Sequence, residues 1–226
     1  MSTRCALLAL MLLAAPLMGC AKDPFRPTPL PKLSRSDPPG IVNRFESALA
    51  DRFTSADSVI IHVPFRDDLA LLGVVQVDRV AGTFELVGLN QMGVQFFHLS
   101  GDRKGSSIRS AVPPLMKHKQ ILLSIADDTR RMYFDLLPGK DALADSQSNM
   151  IRFIEKTRAG KLIRTFGGDP GVLLEKRLSG WLGTNWKVRY FEYALKDGKQ
   201  YPRGIILNNG RYHYRITVRN REWQIK

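Results

Sequence analysis

The stretch TFELVGLNQMGVQFFHL, residues 83–99, contains two short runs of branched and aromatic residues separated by Asn90-Gln91-Met92-Gly93. Runs of this composition on either side of a short, glycine-containing connection predict two antiparallel strands joined by a hairpin turn. The tip of the predicted hairpin carries Met92, although turn residues are normally polar. Met92 could fold back under the turn, or it could reach into a membrane or a ligand.

Further strands are predicted on both sides of this hairpin, because similar runs recur between breaks in the pattern. They cover Val59–Val63, Leu69–Val80, Ser107–Val112, Val172–Lys176, Trp186–Leu195, Tyr201–Leu207 and a last strand from Tyr212 to near Trp223. Asn209-Gly210 is the strongest hairpin signal in the chain. The sequence therefore predicts about nine or ten strands in meander order, forming an antiparallel sheet whose apolar face must curl or be covered.

A short helix is predicted before the first strand. Asp37-Pro38 is a helix-start signal, and Ile41 and Phe45 then recur at helical spacing. We expect this helix to run to about Phe53 and to cap the core.

A helical insertion is predicted between the two groups of strands, near residues 113–157. Within it, Leu115–Asp127 has helical periodicity, and residues 139–149 are polar enough to form a loop. Residues 151–166 are ambiguous: Ile151, Phe153 and Ile154 fit a helix end, and Lys161–Phe166 fits a strand.

The first nineteen residues predict a secretory signal. A single basic residue, Arg4, precedes the apolar run 6–17, which is too short to span a bilayer. The run ends in LMGC, residues 17–20, which resembles the bacterial lipobox, where the signal peptidase cuts before a cysteine that carries a diacylglyceryl group. We therefore expect residues 1–19 to be removed and Cys20 to be lipidated. An ordinary secretory signal with an incidental cysteine is the alternative.

Residues 20–40 are predicted to tether the folded domain to the membrane. They contain six prolines, which favour an extended polyproline conformation. At ~3.1 Å per residue, this segment could hold the domain, residues 41–226, up to roughly 60 Å from the bilayer.

The chain is strongly basic, with a formal net charge of +13 that becomes +12 when Arg4 is removed with the signal. In an exported, lipidated protein this charge suits anionic lipid headgroups or a lipopolysaccharide surface, and nucleic acid is not an expected partner. A solvated basic surface without a specific partner is the equal alternative. No other segment is long and apolar enough to span a membrane.

The sequence contains little that predicts catalysis. The four histidines, His62, His98, His118 and His213, lie far apart, and Cys20 is the only cysteine outside the signal. Neither a metal site nor a cofactor is therefore expected. Nucleophile-elbow and phosphate-cradling glycine motifs are absent from the sequence. A distant pair of carboxylates could still meet in a periplasmic hydrolase, but the pattern favours a binding protein over an enzyme.

The C-terminal block NWKVRYFEY, residues 185–193, with Pro202, Gly210 and Trp223 after it, resembles the end of the outer-membrane lipoprotein receptor LolB. The predicted hairpin also resembles that family's hairpin, in which a protruding leucine helps to deliver bound lipoprotein into the membrane. Met92 takes the place of that leucine. The middle of the chain departs from LolB and looks more like a related group of LolB-like lipoproteins.

This resemblance implies a mainly β fold with a helical lid (α+β), an incomplete antiparallel β-barrel of the LolA/LolB type with an apolar cavity. The candidate lid residues are Leu115, Ile121, Leu122 and Ile125. The candidate wall residues are Phe84, Leu86, Phe96, Tyr190, Tyr193, Tyr212 and Tyr214. Ordinary core packing explains each of these residues equally well.

The expected function is that of an outer-membrane lipoprotein, facing the periplasm, that binds a lipid or lipidated cargo in the cavity and transfers it to the membrane. Met92 would contact the membrane, and the partners would be the anionic outer-membrane surface and a periplasmic LolA-like donor. Ala21 favours the outer membrane, because an aspartate after the cysteine would favour inner-membrane retention. The alternative is a structural or interaction lipoprotein with a filled core and a basic partner-binding surface.

Overall fold

The computed structural model of the chain describes residues 23–29, 37–65, 67–147, 149–168, 171–181 and 183–226. The expected signal peptide, residues 1–19, and the expected lipidation site, Cys20, lie outside the described residues. None of the helices in these ranges combines the length and the apolar composition needed to cross a membrane.

The described residues form one antiparallel sheet of twelve strands. The strands are Arg52–His62 (β1), Leu69–Asp78 (β2), Thr83–Leu89 (β3), Gln95–Gly101 (β4), Ser106–Ala111 (β5), Leu143–Ser146 (β6), Met150–Thr157 (β7), Gly160–Gly167 (β8), Val172–Gly180 (β9), Gly183–Lys196 (β10), Lys199–Asn209 (β11) and Tyr214–Ile225 (β12). Their order is β5-β4-β3-β2-β1-β12-β11-β10-β9-β8-β7-β6. Because β5 and β6 are edges, the sheet is an incomplete antiparallel barrel, as expected.

The sheet has more strands than expected because much of the insertion is β-structure. The predicted loop at residues 139–149 contains β6, and residues 151–166 lie in the β7–β8 hairpin, so the helical alternative is wrong there. Ile151 and Phe153 are buried at alternate positions of β7, as strand pairing requires. The helical part of the insertion therefore ends at Tyr133 rather than near residue 157.

The structure contains three helices in its described part: α1 (Pro38–Ala48), α2 (Pro113–Met116) and α3 (Lys119–Tyr133). α1 buries Ile41 and Phe45, and the Phe45 ring lies edge-on to Phe166 with centroids 5.3 Å apart. α1 is thus the expected cap on the core. It ends at Ala48 rather than near Phe53, because Phe53 belongs to β1.

The sheet has one apolar face because apolar and polar residues alternate along its strands. In β12, Tyr214, Ile216 and Val218 are buried, whereas the intervening Arg215 and Arg219 lie on the other face. α3 packs against β3, β4, β5 and β11 on the apolar face. It runs past its predicted end at residue 127, because its last two turns also bury side chains.

Residues 23–29, which we call the strap, are packed on the outer face of the sheet and do not form the expected free tether. The Asp23 carboxylate contacts the guanidinium groups of Arg189 at 2.5 Å and Arg215 at 2.9 Å. Phe25 is buried against Phe191, with ring centroids 5.3 Å apart. These contacts offset the loss of chain entropy that keeps proline-rich segments free in solution. Residues 38–40 of the expected tether belong to α1.

Candidate functional site

α3 presents one buried face to the sheet. Leu122, Ile125 and Met132 are buried, and their spacing of three or four residues, continued through Thr129, keeps them on one side of the helix. Ile121 lies off this face and is 41% exposed, so its assignment to the inner face of the lid is wrong. The half-buried Leu115, in α2, packs against the core.

Two small cavities remain between α3 and the sheet. The first, of about 40 Å³, has an apolar lining that includes Leu86, Phe97 and Ile125; the second, of about 30 Å³, is lined by residues around Tyr190, Tyr193 and Tyr201. Asp57, Met132, Tyr133 and Val218 border both cavities and separate them. Each volume accommodates only one or a few water-sized groups.

The wall of the first cavity contains Phe97 rather than the predicted Phe96. The Phe97 ring covers Gly88, where a Cβ atom would lie only 2.3 Å from the ring. Leu86 also lines this cavity, whereas Phe84 is buried near Phe134, with ring centroids 6.2 Å apart. Neighbouring residues of a strand point to opposite faces of the sheet, so only one of the two adjacent phenylalanines can face the cavity.

Tyr190 and Tyr193 both line the second cavity although they are three residues apart. Glu192 between them has φ 53°, a left-handed backbone conformation that interrupts the regular alternation, while the pairing of β10 with β11 keeps the same register on both sides of it. The Tyr190 hydroxyl donates to the Met132 carbonyl oxygen at 2.9 Å, and that of Tyr193 donates to the Leu173 carbonyl oxygen at 2.7 Å. Burial raises the pKa of both phenols, which keeps them neutral donors.

A buried polar network fixes the middle of α3 to the β11–β12 hairpin. The Asp128 carboxylate accepts hydrogen bonds from the Tyr214 hydroxyl at 2.5 Å and from Asn209 Nδ2 at 2.9 Å, and it pairs with Arg131. The Ser124 hydroxyl lies 2.8 Å from that of Tyr214. Burial raises the pKa of the Asp128 carboxyl, while Arg131 opposes the rise. Tyr214 therefore serves this network rather than an apolar wall.

The C-terminal end of α3 is held by three basic side chains. Lys176 Nζ donates to the Phe134 carbonyl oxygen at 2.6 Å, Arg164 Nε to that of Asp135 at 2.9 Å, and Arg79 Nε to that of Tyr133 at 3.3 Å. These side chains satisfy carbonyl groups left free at a helix end, and the two guanidinium groups complement its partial negative charge. Burial, reinforced by Arg164, lowers the pKa of Lys176 to about 7, and burial lowers that of Arg79 to about 10.

A larger groove runs beside α3, between the helix and strands β9–β11. Its volume is about 720 Å³, and its apolar lining includes Leu123, Leu178 and Trp186. Tyr212 also borders the groove; it lies in the β11–β12 turn and not in the last strand as predicted. Ser124 and Asn209 of the Asp128 network also line this groove.

The β3–β4 turn displays Met92 to solvent. The Asn90 side chain accepts the backbone N–H groups of Met92 at 2.9 Å and Val94 at 2.8 Å, which fixes the turn. The Met92 side chain is 84% exposed, so it does not fold back under the turn.

The described ranges contain no group of three or more His, Cys, Asp or Glu side chains placed to hold a metal ion. The functional features that the sequence did not reveal are the groove and the buried basic side chains. Leu178 and Trp186 alternate with polar residues in their strands, which is a usable signal for a groove wall. Lysine and arginine are usually exposed, so nothing in the pattern marks Lys176 as buried.

No protein-family model matches the sequence, and no curated protein matches it. Solved structures do match. A LolA superfamily protein from Nitrosomonas europaea aligns with 82% of this chain and 92% of its own, with 8% identity and a TM-score of 0.51. A domain from Vibrio parahaemolyticus, described as an outer membrane lipoprotein-sorting protein, aligns with 82% of this chain and 91% of its own, also with 8% identity and a TM-score of 0.51. The chain therefore has the fold of the LolA superfamily.

Proposed function

We propose that this protein binds the acyl chain of a lipid or lipidated cargo between the sheet and α3 and transfers it to the outer membrane. The layout of the site is the observation that carries the proposal: α3 covers part of the apolar face of an open sheet, and small voids remain beneath it. Each methylene buried there would contribute about 0.8 kcal/mol. Binding and release need no chemical step, so the proposed function is not enzymatic.

Binding requires α3 to move, because voids of about 30 and 40 Å³ cannot hold an acyl chain. The two ends of α3 differ in their attachment. Its C-terminal end is held by Lys176, Arg164 and Arg79, whereas Lys119, Gln120 and Ile121 at its start are exposed. We therefore expect the N-terminal end to move outward while the C-terminal end acts as the hinge.

Movement of α3 would also join the cavities to the neighbouring groove. Ser124 and Asn209 line the groove, and they are hydrogen-bonded to Tyr214 and Asp128, which fixes α3 to the β11–β12 hairpin. Breaking these hydrogen bonds would connect the small voids to a space of about 720 Å³. A space of this size is typical of ligand pockets. The polar network is thus the proposed latch of the closed state.

The proposed delivery step uses the membrane and the N terminus. Acylation of Cys20 would anchor the mature protein on the periplasmic face of the outer membrane, because more than one acyl chain gives a stable anchor. The exposed Met92 side chain would enter the bilayer, and the basic surface would favour anionic headgroups. A periplasmic LolA-like protein is the proposed donor of the cargo.

One observation favours the second candidate, a structural or interaction lipoprotein. The space beneath α3 is nearly filled by Met132 and Tyr133, and a core without a ligand is what that function predicts. Such a protein would grip an envelope partner through its basic surface and would carry no lipid.

Native mass spectrometry of the mature chain, purified from membranes in mild detergent, distinguishes the two candidates. We expect a stoichiometric acyl-bearing ligand that Ile125→Gln abolishes, because Ile125 lines the first cavity. Ile121→Gln, an equal change at the exposed neighbouring position, should retain the ligand. Thermal unfolding establishes that both variants are folded. A wild-type protein that carries no ligand and takes up no fluorescent fatty acid would support the second candidate.

A further inference from the structure

We propose that the end of the sheet carrying the β1–β2, β3–β4 and β9–β10 turns faces the bilayer, and that Phe65 and Trp181 insert into it beside Met92. We call this end the tip end. The inference rests on the proposed anchoring at Cys20, but it does not require a ligand beneath α3.

The strand order brings these turns to one end of the molecule. In an antiparallel meander, alternate turns lie at the same end of the sheet. Each of the three turns displays a large apolar side chain: Phe65 is fully exposed, Met92 is 84% exposed and Trp181 is 95% exposed. The β11–β12 turn lies between the β1–β2 and β9–β10 turns on this rim. Three such side chains on one rim are unusual for a soluble surface and are typical of a membrane contact.

The opposite end of the sheet lacks this feature. Its described turns include Asp102–Gly105 and Asp197–Gly198, which are polar, and no aromatic residue occurs in any of its described turns. Val80 and Leu195 are exposed apolar residues at that end, and both are smaller than phenylalanine or tryptophan. Among the described turns, the exposed aromatic side chains therefore lie at the tip end and not at the opposite end.

The direction of the strap points to the same end. Asp23 lies between Arg189 and Arg215, and Arg215 is the second residue of β12, next to the tip end. The backbone N–H of Arg26 donates to Glu192 further down the sheet at 2.9 Å. The strap therefore starts near the tip end and runs away from it.

The short connection between Asp23 and Cys20 would fix how the domain is oriented relative to the bilayer. Only Ala21 and Lys22 separate the two residues, so Cys20 cannot lie more than about 11 Å from Asp23. Acyl chains on Cys20 would hold the tip end against the headgroups instead of letting the domain swing on a long tether. The exposed start of α3 follows β5 and α2 at the same end, so the proposed opening of the lid would face the membrane.

Tryptophan quenching tests the orientation. Cys20 is the only cysteine of residues 20–226, so this chain can be coupled to a maleimide lipid in phosphatidylethanolamine–phosphatidylglycerol vesicles that contain a brominated phospholipid. We expect Trp181→Phe to lose most of the bromine-quenched emission and Phe65→Trp to add quenched emission. Val80→Trp and Leu195→Trp, matched changes at exposed positions of the opposite end, should add emission that bromine does not quench.

The inference is overturned if the Val80 or Leu195 reporter is quenched as strongly as the Phe65 reporter, or if neither end is quenched. Coupling through the maleimide lipid supplies the anchor even if cells do not lipidate Cys20, which metabolic labelling with an alkynyl fatty acid measures separately. Ligand uptake beneath α3 is also a separate readout. Failure of the orientation is therefore distinguishable from failure of the proposed carrier function.

Discussion

Replacing Lys176 with methionine should remove a pH dependence of folding stability. The Lys176 side chain is almost fully buried, and burial, reinforced by Arg164, lowers its pKa from 10.5 to about 7. Between these two pH values, the unfolded chain carries a proton on this amine that the folded protein lacks. Unfolding then takes up a proton, so the free energy of unfolding rises with pH across the window and levels off above it.

The size of the effect follows from the two pKa values of Lys176. A full difference of one proton changes the free energy of unfolding by about 1.4 kcal/mol per pH unit. Between about pH 7.5 and pH 9.5, the Lys176 contribution rises by about 2.5 kcal/mol. Lys176→Met lacks this rise, and it loses the hydrogen bond to the Phe134 carbonyl, which contributes about 1 kcal/mol.

Urea unfolding at several pH values across this window measures the difference. Lys161→Met is the matched control, because Lys161 is an exposed lysine in the neighbouring strand β8 and the substitution removes the same charge. Wild type and Lys161→Met should gain stability in parallel as the pH rises, whereas Lys176→Met should gain less by about 2.5 kcal/mol. If all three proteins change in parallel, Lys176 is not a buried, neutral amine at the C-terminal end of α3.

Three further outcomes are expected. Burial raises the pKa of Asp57 above its usual value of 3.8. Between pH 3.8 and this raised pKa, the folded protein holds a proton that the unfolded chain has lost, so the free energy of unfolding should fall as the pH rises. Asp57→Asn should lack this fall in urea titrations. Gly204→Val should release the strap, since a Cβ atom there would lie 2.4 Å from the Phe25 ring; limited proteolysis should then cut residues 23–29 while the sheet stays intact. Phe45→Ala should cost about 3–5 kcal/mol in urea unfolding, because the side chain is fully buried, whereas Glu46→Ala at the exposed neighbouring position should cost little.

Local patterns predicted the parts of the fold that depend on neighbours in sequence. β3 has the predicted bounds, because alternation and the following turn both mark its end. The bounds of the β7–β8 hairpin could not be predicted in this way. Its short apolar runs fit a helix or a strand, and only pairing across the hairpin decides between them.

The candidate site was predictable only in outline. The periodicity of α3 predicted a helix, but the orientation of its buried face depends on tertiary packing, which buries Leu122 and leaves Ile121 exposed. The position of the strap could not be predicted from local patterns either. Its prolines predicted an extended segment, but the packing of Phe25 against Gly204 determines where the segment lies. The side chains of Asp57 and Lys176 are buried, although aspartate and lysine are usually exposed.

Photo-crosslinking tests the central claim, that an acyl chain enters the space beneath α3. A fatty acid with a diazirine group near its methyl end would be incubated with the mature chain, irradiated, and located by peptide mapping. We expect crosslinks to Val75, Ile125 and Met132, which line the cavities, and their loss in Ile125→Gln but not in Ile121→Gln. Crosslinks confined to the exposed turns around Phe65, Met92 and Trp181, or no saturable crosslinking at all, would contradict it.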